Sequence, residues 1–364
     1  MRKTLFNLHL YGALIVGIFV VIIGVTGSIM AFEENLDRLF NPRLFDVQPA
    51  GSFLPVAELF HSAAAAFPGQ KVNNLRLPQS PTDSVMFRVR GPKQVFMNPY
   101  NGQILGSRDP NTPLQTIHMI HLTLLMGPTG RSIVAGVTAV LLFLVVSGIY
   151  LWWPLKRTSI KWSASARRIN FDIHNVSGIY SAVFLLVLGT TGIVVHYDNA
   201  IELYLHRHEG TKPIPRVVPS VFHPGMTRVT PDQAVQSAEA ALPGTKALSV
   251  SLPPNAKSSY VVALRYPEDL TPGGRSWADV DQFSGQVINF QSSRTAPSAS
   301  RTIILNRAIH TGDLFGYPSK ILVSLSSLML IIQAITGYYL WWKKLRSQSK
   351  SDTATTAVAD KTAV

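Results

Sequence analysis

The chain contains no cysteine. That excludes disulfides, iron–sulfur ligation, thiolate zinc sites and the C-x-x-C-H attachment of c-type haem, so any metal must be held by histidine or carboxylate. Charge is scarce as well: Asp, Glu, Lys and Arg make up 15% of 364 residues. Acidic side chains are the rarer sign, 20 against 33 basic ones. There is no Gly-rich dinucleotide or flavin fingerprint. The first apolar run is longer than the 7–15 residue core (roughly) of a secretory signal and no A-x-A site follows it, which reads as an uncleaved anchor.

What the chain does have is apolar sequence in long runs. Ala13 to Phe32, Ile133 to Trp153, Val176 to Val195 and Ile321 to Trp342 are almost free of charge. Each is about twenty residues, enough at about 1.5 Å per residue to cross a hydrocarbon core of roughly 30 Å. The net charge of +13 does not indicate nucleic acid, because it is concentrated next to these runs. Arg2 and Lys3 precede the first. Lys156, Arg157, Lys161, Arg167 and Arg168 lie between the second and third, and Lys343, Lys344 and Arg346 follow the fourth. With four alternating spans all three clusters fall on one side, which the positive-inside rule makes cytoplasmic, together with both termini. Membrane lipid is then an expected partner. Trp152-Trp153 and Trp341-Trp342 suit the headgroup layer on that same side.

The chain is also written twice. HLYGALIVGIFVVIIGVTGSIMAF returns as HNVSGIYSAVFLLVLGTTGIVVHY, placing His9 on His174 and Thr26-Gly27 on Thr191-Gly192 at an offset of 165. Further on, His121 falls on His310, Gly127 on Gly316 and SGIYLWW on TGYYLWW at an offset of 189. The outward segments repeat too: each has a helical run ending in Pro-Gly (Pro68-Gly69, Pro243-Gly244), followed by period-two strands and a turn at Asn101-Gly102 or Ser284-Gly285. The expected architecture is an α-helical membrane protein with four transmembrane helices in a duplicated 2+2 arrangement and two small α+β extracytoplasmic modules. In residue numbers, this gives a first span over 1–34, a module over 35–112, and an interfacial helix with the second span over 113–156. A basic loop over 157–171 and the third span over 172–200 come next. The second module covers 201–300, an interfacial helix with the fourth span 301–346, and a disordered cytoplasmic tail 347–364.

Ionisable groups at membrane depth are costly and usually functional. His9 and His174 begin the first and third helices at the cytoplasmic side, while His121 and His310 lie about ten residues before the second and fourth spans, at the outer boundary. Snorkelling to the headgroups would not explain why both copies keep a histidine at one position. Both halves enter the membrane in the same direction, so an axis along the membrane normal would bring His9 to His174 and His121 to His310. Two facing imidazoles with no cysteine or carboxylate set suit axial ligation of b-type haem, one pair for each of two haems. Zinc would want a fuller ligand set. Nearby glycines (Gly12, Gly178, Gly27, Gly192, Gly148, Gly337) could make room for a flat macrocycle or serve helix packing. His118 and His196 are second-rank candidates without a histidine at the matched position, and His61 and His223 read as surface or capping residues.

From LHLYGALIVG to TGYYLWWKK the chain resembles the PepSY-associated transmembrane family, which includes bacterial iron-regulated inner-membrane proteins and ferric-siderophore reductases. VFMNPYNGQIL and WADVDQFSGQVI carry the resemblance in the PepSY-like modules. The His-x-x-x-Gly start survives at His174 to Gly178 but shifts to Gly12 after His9, and IHLTLLMG replaces the Leu-His element with Ile120. The resemblance implies an oxidoreductase of the bacterial inner membrane, bearing haem b, that reduces a ferric siderophore or other ferric chelate and releases ferrous iron. Its donor would be quinol or a cytoplasmic reductase. The alternative is a non-enzymatic anchor whose PepSY-like modules bind or regulate an extracytoplasmic partner such as a peptidase, which leaves the four histidines idle. A permease for iron complexes is a third reading.

Overall fold

In the computed structural model, residues 1–89, 93–214, 218–220 and 225–362 are described, with side chains to residue 347. Four helices are long and apolar enough to cross a membrane: α1 (Arg2–Met30), α6 (Gly127–Trp152), α7 (Ala166–His196) and the first 31 residues of α11 (Tyr317–Thr362). All start earlier than the apolar runs alone suggest: the polar residues before the first and third runs carry no helix breaker and continue α1 and α7, while α6 and α11 have Pro128 and Pro318 in their first turn, where proline is tolerated. His9 and His174 therefore lie about two turns inside α1 and α7 rather than at their starts. The third span begins at Ala166, shortening the expected 157–171 loop. The tail beyond 347, expected to be disordered, continues α11 to Thr362. It contains neither glycine nor proline to stop it.

α1 packs on α6 and α11, and α7 packs on the same two. The four form a ring in the order α1–α6–α7–α11, with α1 diagonal to α7. Val16, Val20, Val137, Val145, Ala182, Leu185 and Leu330 fill its centre. Gly24 permits the α1–α11 contact, since a Cβ there would stand 2.8 Å from the Ser327 carbonyl oxygen.

Between α1 and α6 come α2 (Glu33–Phe40), α3 (Pro42–Phe45), α4 (Val56–Ala66), β1 (Asn74–Arg76), β2 (Val85–Arg88), β3 (Gln94–Met97), β4 (Ile104–Arg108) and α5 (Pro113–Thr123). Between α7 and α11 come α8 (Asp198–Glu209), α9 (Pro231–Ala241), β5 (Lys246–Ser251), β6 (Tyr260–Arg265), β7 (Ser276–Val280), β8 (Val287–Gln291) and α10 (Ser298–Thr311). The strands do not make two separate small sheets. They form one eight-stranded antiparallel sheet in the order β4-β3-β2-β1-β5-β6-β7-β8, joined by Leu75 opposite Val250. Without that joint, β1 and β5 would each present an open edge of unpaired backbone groups. α4 and α9 cover one face over a core that includes Leu59, Phe87, Val95, Ala234, Val262 and Val280. Asp232 in α9 accepts from the Val56 and Ala57 amides at 2.6 and 2.9 Å, capping the start of α4 and tying the helices together.

α5 and α10 return the chain to the bundle, α5 against α1 and α6, α10 against α7 and α8. The reversal into α6 is tight enough to hold Leu124 and Leu125 at φ 48° and 61°. Left-handed backbone costs a non-glycine residue about 1–2 kcal/mol, so packing of α5 must hold the turn in place. The turn from α10 into α11 uses Gly312 and Gly316 instead, at φ 76° and 64°.

Candidate functional site

Four imidazoles point into the bundle at two levels. His121 and His310 face each other with ring centres 6.5 Å apart and planes inclined by 46°. At the basic end, His9 from α1 and His174 from α7 line a single cavity of about 880 Å³. Its walls are mainly aliphatic, and Arg2, Lys3, Arg167, Arg168 and Lys344 stand around it. Between levels, α1 runs from His9 to Thr26, which lies against His121. α7 runs from His174 to Thr191, which lies against His310. Both intervals are 17 residues (26 − 9 and 191 − 174), or about 25 Å along a helix.

Each imidazole is held the same way. His9 Nδ1 lies 2.8 Å from Ser147 Oγ, His174 Nδ1 2.8 Å from Thr336 Oγ1, His121 Nδ1 3.2 Å from Thr26 Oγ1, and His310 Nδ1 3.0 Å from Thr191 Oγ1. Each of these hydroxyls also reaches a carbonyl of its own helix: Thr336 to Ile332 at 2.6 Å, Thr26 to Ile22 and Thr191 to Val187 at 2.7 Å, and Ser147 to Leu144 at 3.2 Å. A hydroxyl has one proton, so one that donates to its own helix can only accept from the histidine. This arrangement assigns the proton to Nδ1 and leaves the Nε2 lone pair free. His121 gives an independent check, because its Nδ1 also lies 3.0 Å from the Ile23 carbonyl oxygen, which has nothing to donate. Burial, then the neighbouring His121, pushes His310 down to about 4, and burial lowers His121 as well, so both rings are neutral near pH 7.

A glycine follows each hydroxyl residue and lies against the same ring. A Cβ on Gly27 would sit 2.9 Å from His121 Cε1, on Gly192 3.1 Å from His310 Cε1, on Gly148 3.4 Å from His9 Cε1 and on Gly337 3.7 Å from His174 Cε1. The hydroxyl–glycine pairs are thus the residues that histidine-first reading overlooks. Four Ser/Thr-Gly dipeptides at matched places were the available signal.

The remaining histidines stand apart from this arrangement. His118 pairs with Glu33 at 2.9 Å. His196 ends α7 with its ring against Tyr197, at 4.3 Å between centres. His61 is exposed on α4, and His223 lies outside the described residues. His206, not singled out by sequence, is buried where α8 meets α10, with Nδ1 2.7 Å from Thr211 Oγ1.

Among the described residues no group of three or more His, Asp or Glu could hold a bare metal ion. Two imidazoles fit a metal that brings its remaining ligands with it. Placing them on opposite sides of such a metal, with about 2 Å per bond and about 1 Å from nitrogen to ring centre, separates ring centres by about 6 Å, against the 6.5 Å between His121 and His310. The family profile described as the PepSY-associated TM region matches residues 6–344. The chain belongs to this family. No curated protein matches it. A membrane protein with transmembrane helices follows from the PepSY-associated assignment together with the four apolar helices.

Proposed function

We propose that this PepSY-associated protein is a di-haem b oxidoreductase of the bacterial cytoplasmic membrane. It would carry electrons from quinol or a cytoplasmic reductase to a ferric siderophore or other ferric chelate outside, releasing ferrous iron. The observation that carries the reading is the common state of four imidazoles: Nδ1–H fixed by a hydroxyl, Nε2 free, two rings to a level. Metal-ligating histidines are oriented in this way by a second partner on the other ring nitrogen. The matched partners (Ser147 with Thr336, Thr26 with Thr191) and equal 17-residue intervals support a duplicated 2+2 layout and two PepSY-like modules within the sheet domain.

Haem iron, when bound, supplies one-electron redox chemistry. The chain's own part is to hold it. His9 and His174 would hold it at the basic end, and His121 and His310 at the sheet end. The mainly aliphatic walls of the inner level would limit water around a group held there. Arg2, Lys3, Arg167, Arg168 and Lys344, the cations grouped at the inner cavity, could pair with the carboxylates of haem. By the positive-inside rule, the basic flanks of the spans support an orientation with this end in the cytoplasm and the sheet outside. Each ferric chelate accepts one electron and becomes ferrous, which oxygen-rich chelators hold less tightly.

The test is the optical spectrum of the purified protein with its haem-to-protein ratio. Two haems per chain with Soret and split α bands are expected. His121→Ala with His310→Ala should remove one haem and abolish reduction of a ferric chelate. A colourless preparation whose iron reduction survives both substitutions refutes the reading, and one that instead retains a soluble partner through its outer domain favours the anchor.

A further inference from the structure

The two offsets of the repeat meet at one kind of contact. Glu33 falls on Asp198 at the offset of 165, and His118 falls on Arg307 at 189. In the structure each acid finds the base of its own copy. Glu33 Oε2 lies 2.9 Å from His118 Nδ1, and Asp198 Oδ2 lies 3.3 Å from Arg307 Nη2, with all four side chains half-buried. The acids open α2 and α8, directly after the first and third spans. The bases stand three residues, about one helical turn, before His121 in α5 and His310 in α10. A carboxylate at a helix start is favourable without any partner. That reading leaves unexplained why both copies place its cation one turn before an inward-pointing imidazole.

The two copies are held unequally. In α10 the adjacent Asn306 donates to the Thr191 carbonyl at 3.1 Å, so α10 is bonded to α7 as well as to α8. Copy one has Ile117 in that position. α5 also leads into the left-handed Leu124 and Leu125, whereas α10 leaves through glycines. Lacking the second tie and facing a strained exit, α5 depends more on its ion pair than α10 does.

We propose that Glu33–His118 and Asp198–Arg307 are matched tethers that pin α5 and α10 to the segments following α1 and α7, which makes His118 and Arg307 positioning residues for the outer imidazoles. What those imidazoles hold rests on the reductase reading, but the tethers are separable from it, because pinning a helix does not require haem.

The test uses the full-length protein in detergent with two readings. One is hydrogen exchange of α5 and α10. The other is the electron paramagnetic resonance spectrum of the oxidised protein, which reports how two imidazoles on one iron are oriented. His118→Phe keeps a ring and removes the tether. α5 should then exchange roughly fivefold faster, the upper range for a half-exposed ion pair, with α10 unchanged, and the outer signal should shift while the inner one stays. Arg307→Met should act on α10 by a smaller factor, since Asn306 still holds it. Glu33→Asp with His118→Arg writes the pair of copy two into copy one and should restore both readings. Unchanged α5 exchange in His118→Phe overturns the proposal. So does an outer signal that stays put despite faster exchange, which would leave only a structural brace. Failure of the double exchange to restore the readings, in a protein that melts like the wild type, overturns it as well. Faster α5 exchange in a preparation without haem would uphold the tethers while refuting the reductase reading.

Discussion

The glycines beside the imidazoles make a graded prediction. An alanine methyl at residue 27 would meet His121 Cε1 at 2.9 Å, whereas one at residue 337 would meet His174 Cε1 at 3.7 Å. Carbon atoms pack comfortably at about 3.5–4.0 Å, so Gly27→Ala asks the His121 ring to withdraw by roughly 0.6–1 Å and Gly337→Ala asks for nothing. The ring cannot withdraw cheaply, because Thr26 and Ile23 both accept from its Nδ1. Ligand geometry tolerates only about 0.5 Å, and disturbing the support of a ligating histidine typically costs 10- to 100-fold in affinity. Against that, replacing a mid-helix glycine by alanine gains up to about 1 kcal/mol of helix propensity. On the di-haem reading proposed above, Gly337→Ala is therefore expected to retain haem like the wild type and melt at the same or a higher temperature. Gly27→Ala should lose the outer haem 10- to 100-fold more readily while keeping the inner one. Gly192→Ala, at 3.1 Å, falls close behind Gly27→Ala, and Gly148→Ala, at 3.4 Å, close to Gly337→Ala. The assay is haem titration of stripped protein, read in the Soret band, with a redox titration to tell which level is filled. Equal haem retention by Gly27→Ala and Gly337→Ala would refute the packing argument, and loss confined to Gly337→Ala would reverse it.

Two further outcomes follow from single groups. Thr191→Val keeps the side-chain shape but removes the hydroxyl acceptor of His310 Nδ1–H and leaves only the Leu188 backbone, so outer haem affinity should fall about 10-fold, while Thr191→Ser restores it; equal affinity for Val and Ser would show that the hydroxyl does not orient the ring. In the sheet, burial raises the pKa of Asp279, only partly offset by hydrogen bonds from Asn289 and the Val218 amide, and among the described residues its Oδ1 has no partner. A carboxyl with a raised folded pKa binds its proton more tightly when folded, so stability falls as pH rises from the unfolded value of about 4 through the folded value. Asp279→Asn should melt like the wild type below about pH 4 and above it at neutral pH, in a pH series of thermal melts; an advantage that shrinks with rising pH would contradict the assignment.

Much of the bundle was legible from apolar length and charge because a bilayer imposes both. What was not legible lay at boundaries. Arg2–His9 and Ala166–Asn175 look like loop by hydropathy, yet they contain no breaker and extend α1 and α7. This moved His9 and His174 from helix ends to the interior. The basic loop before α7 is likewise more ordered than its charge suggests: Asp172, 1% exposed, draws in Arg157 at 2.8 Å and Arg168 at 2.9 Å, and Trp152 Nε1 donates to the Arg157 carbonyl. The joining of β1 to β5 left no local sign either, because backbone pairing of Leu75 with Val250 depends on two segments 175 residues apart (250 − 75). Alternation within a strand reports which face is buried and says nothing of its neighbour.

The histidines illustrate a sharper limit. Repetition separated His9, His174, His121 and His310 from His118 and His196, and the structure gives His118 an acidic partner instead of an imidazole. Repetition alone could not say which ring nitrogen faces inward. That was decided by hydroxyls that bond back to helix carbonyls, a relation between residues 95 to 162 positions apart in the chain and three or four earlier along one helix. A serine or threonine that bonds back to its own helix is common in membrane spans and is usually taken as neutral. In this bundle the back-bond is what makes the hydroxyl an obligate acceptor. The same four residues look like ordinary small, packing-compatible positions in sequence, and become orienting groups only once a histidine from another helix is seen to point at each.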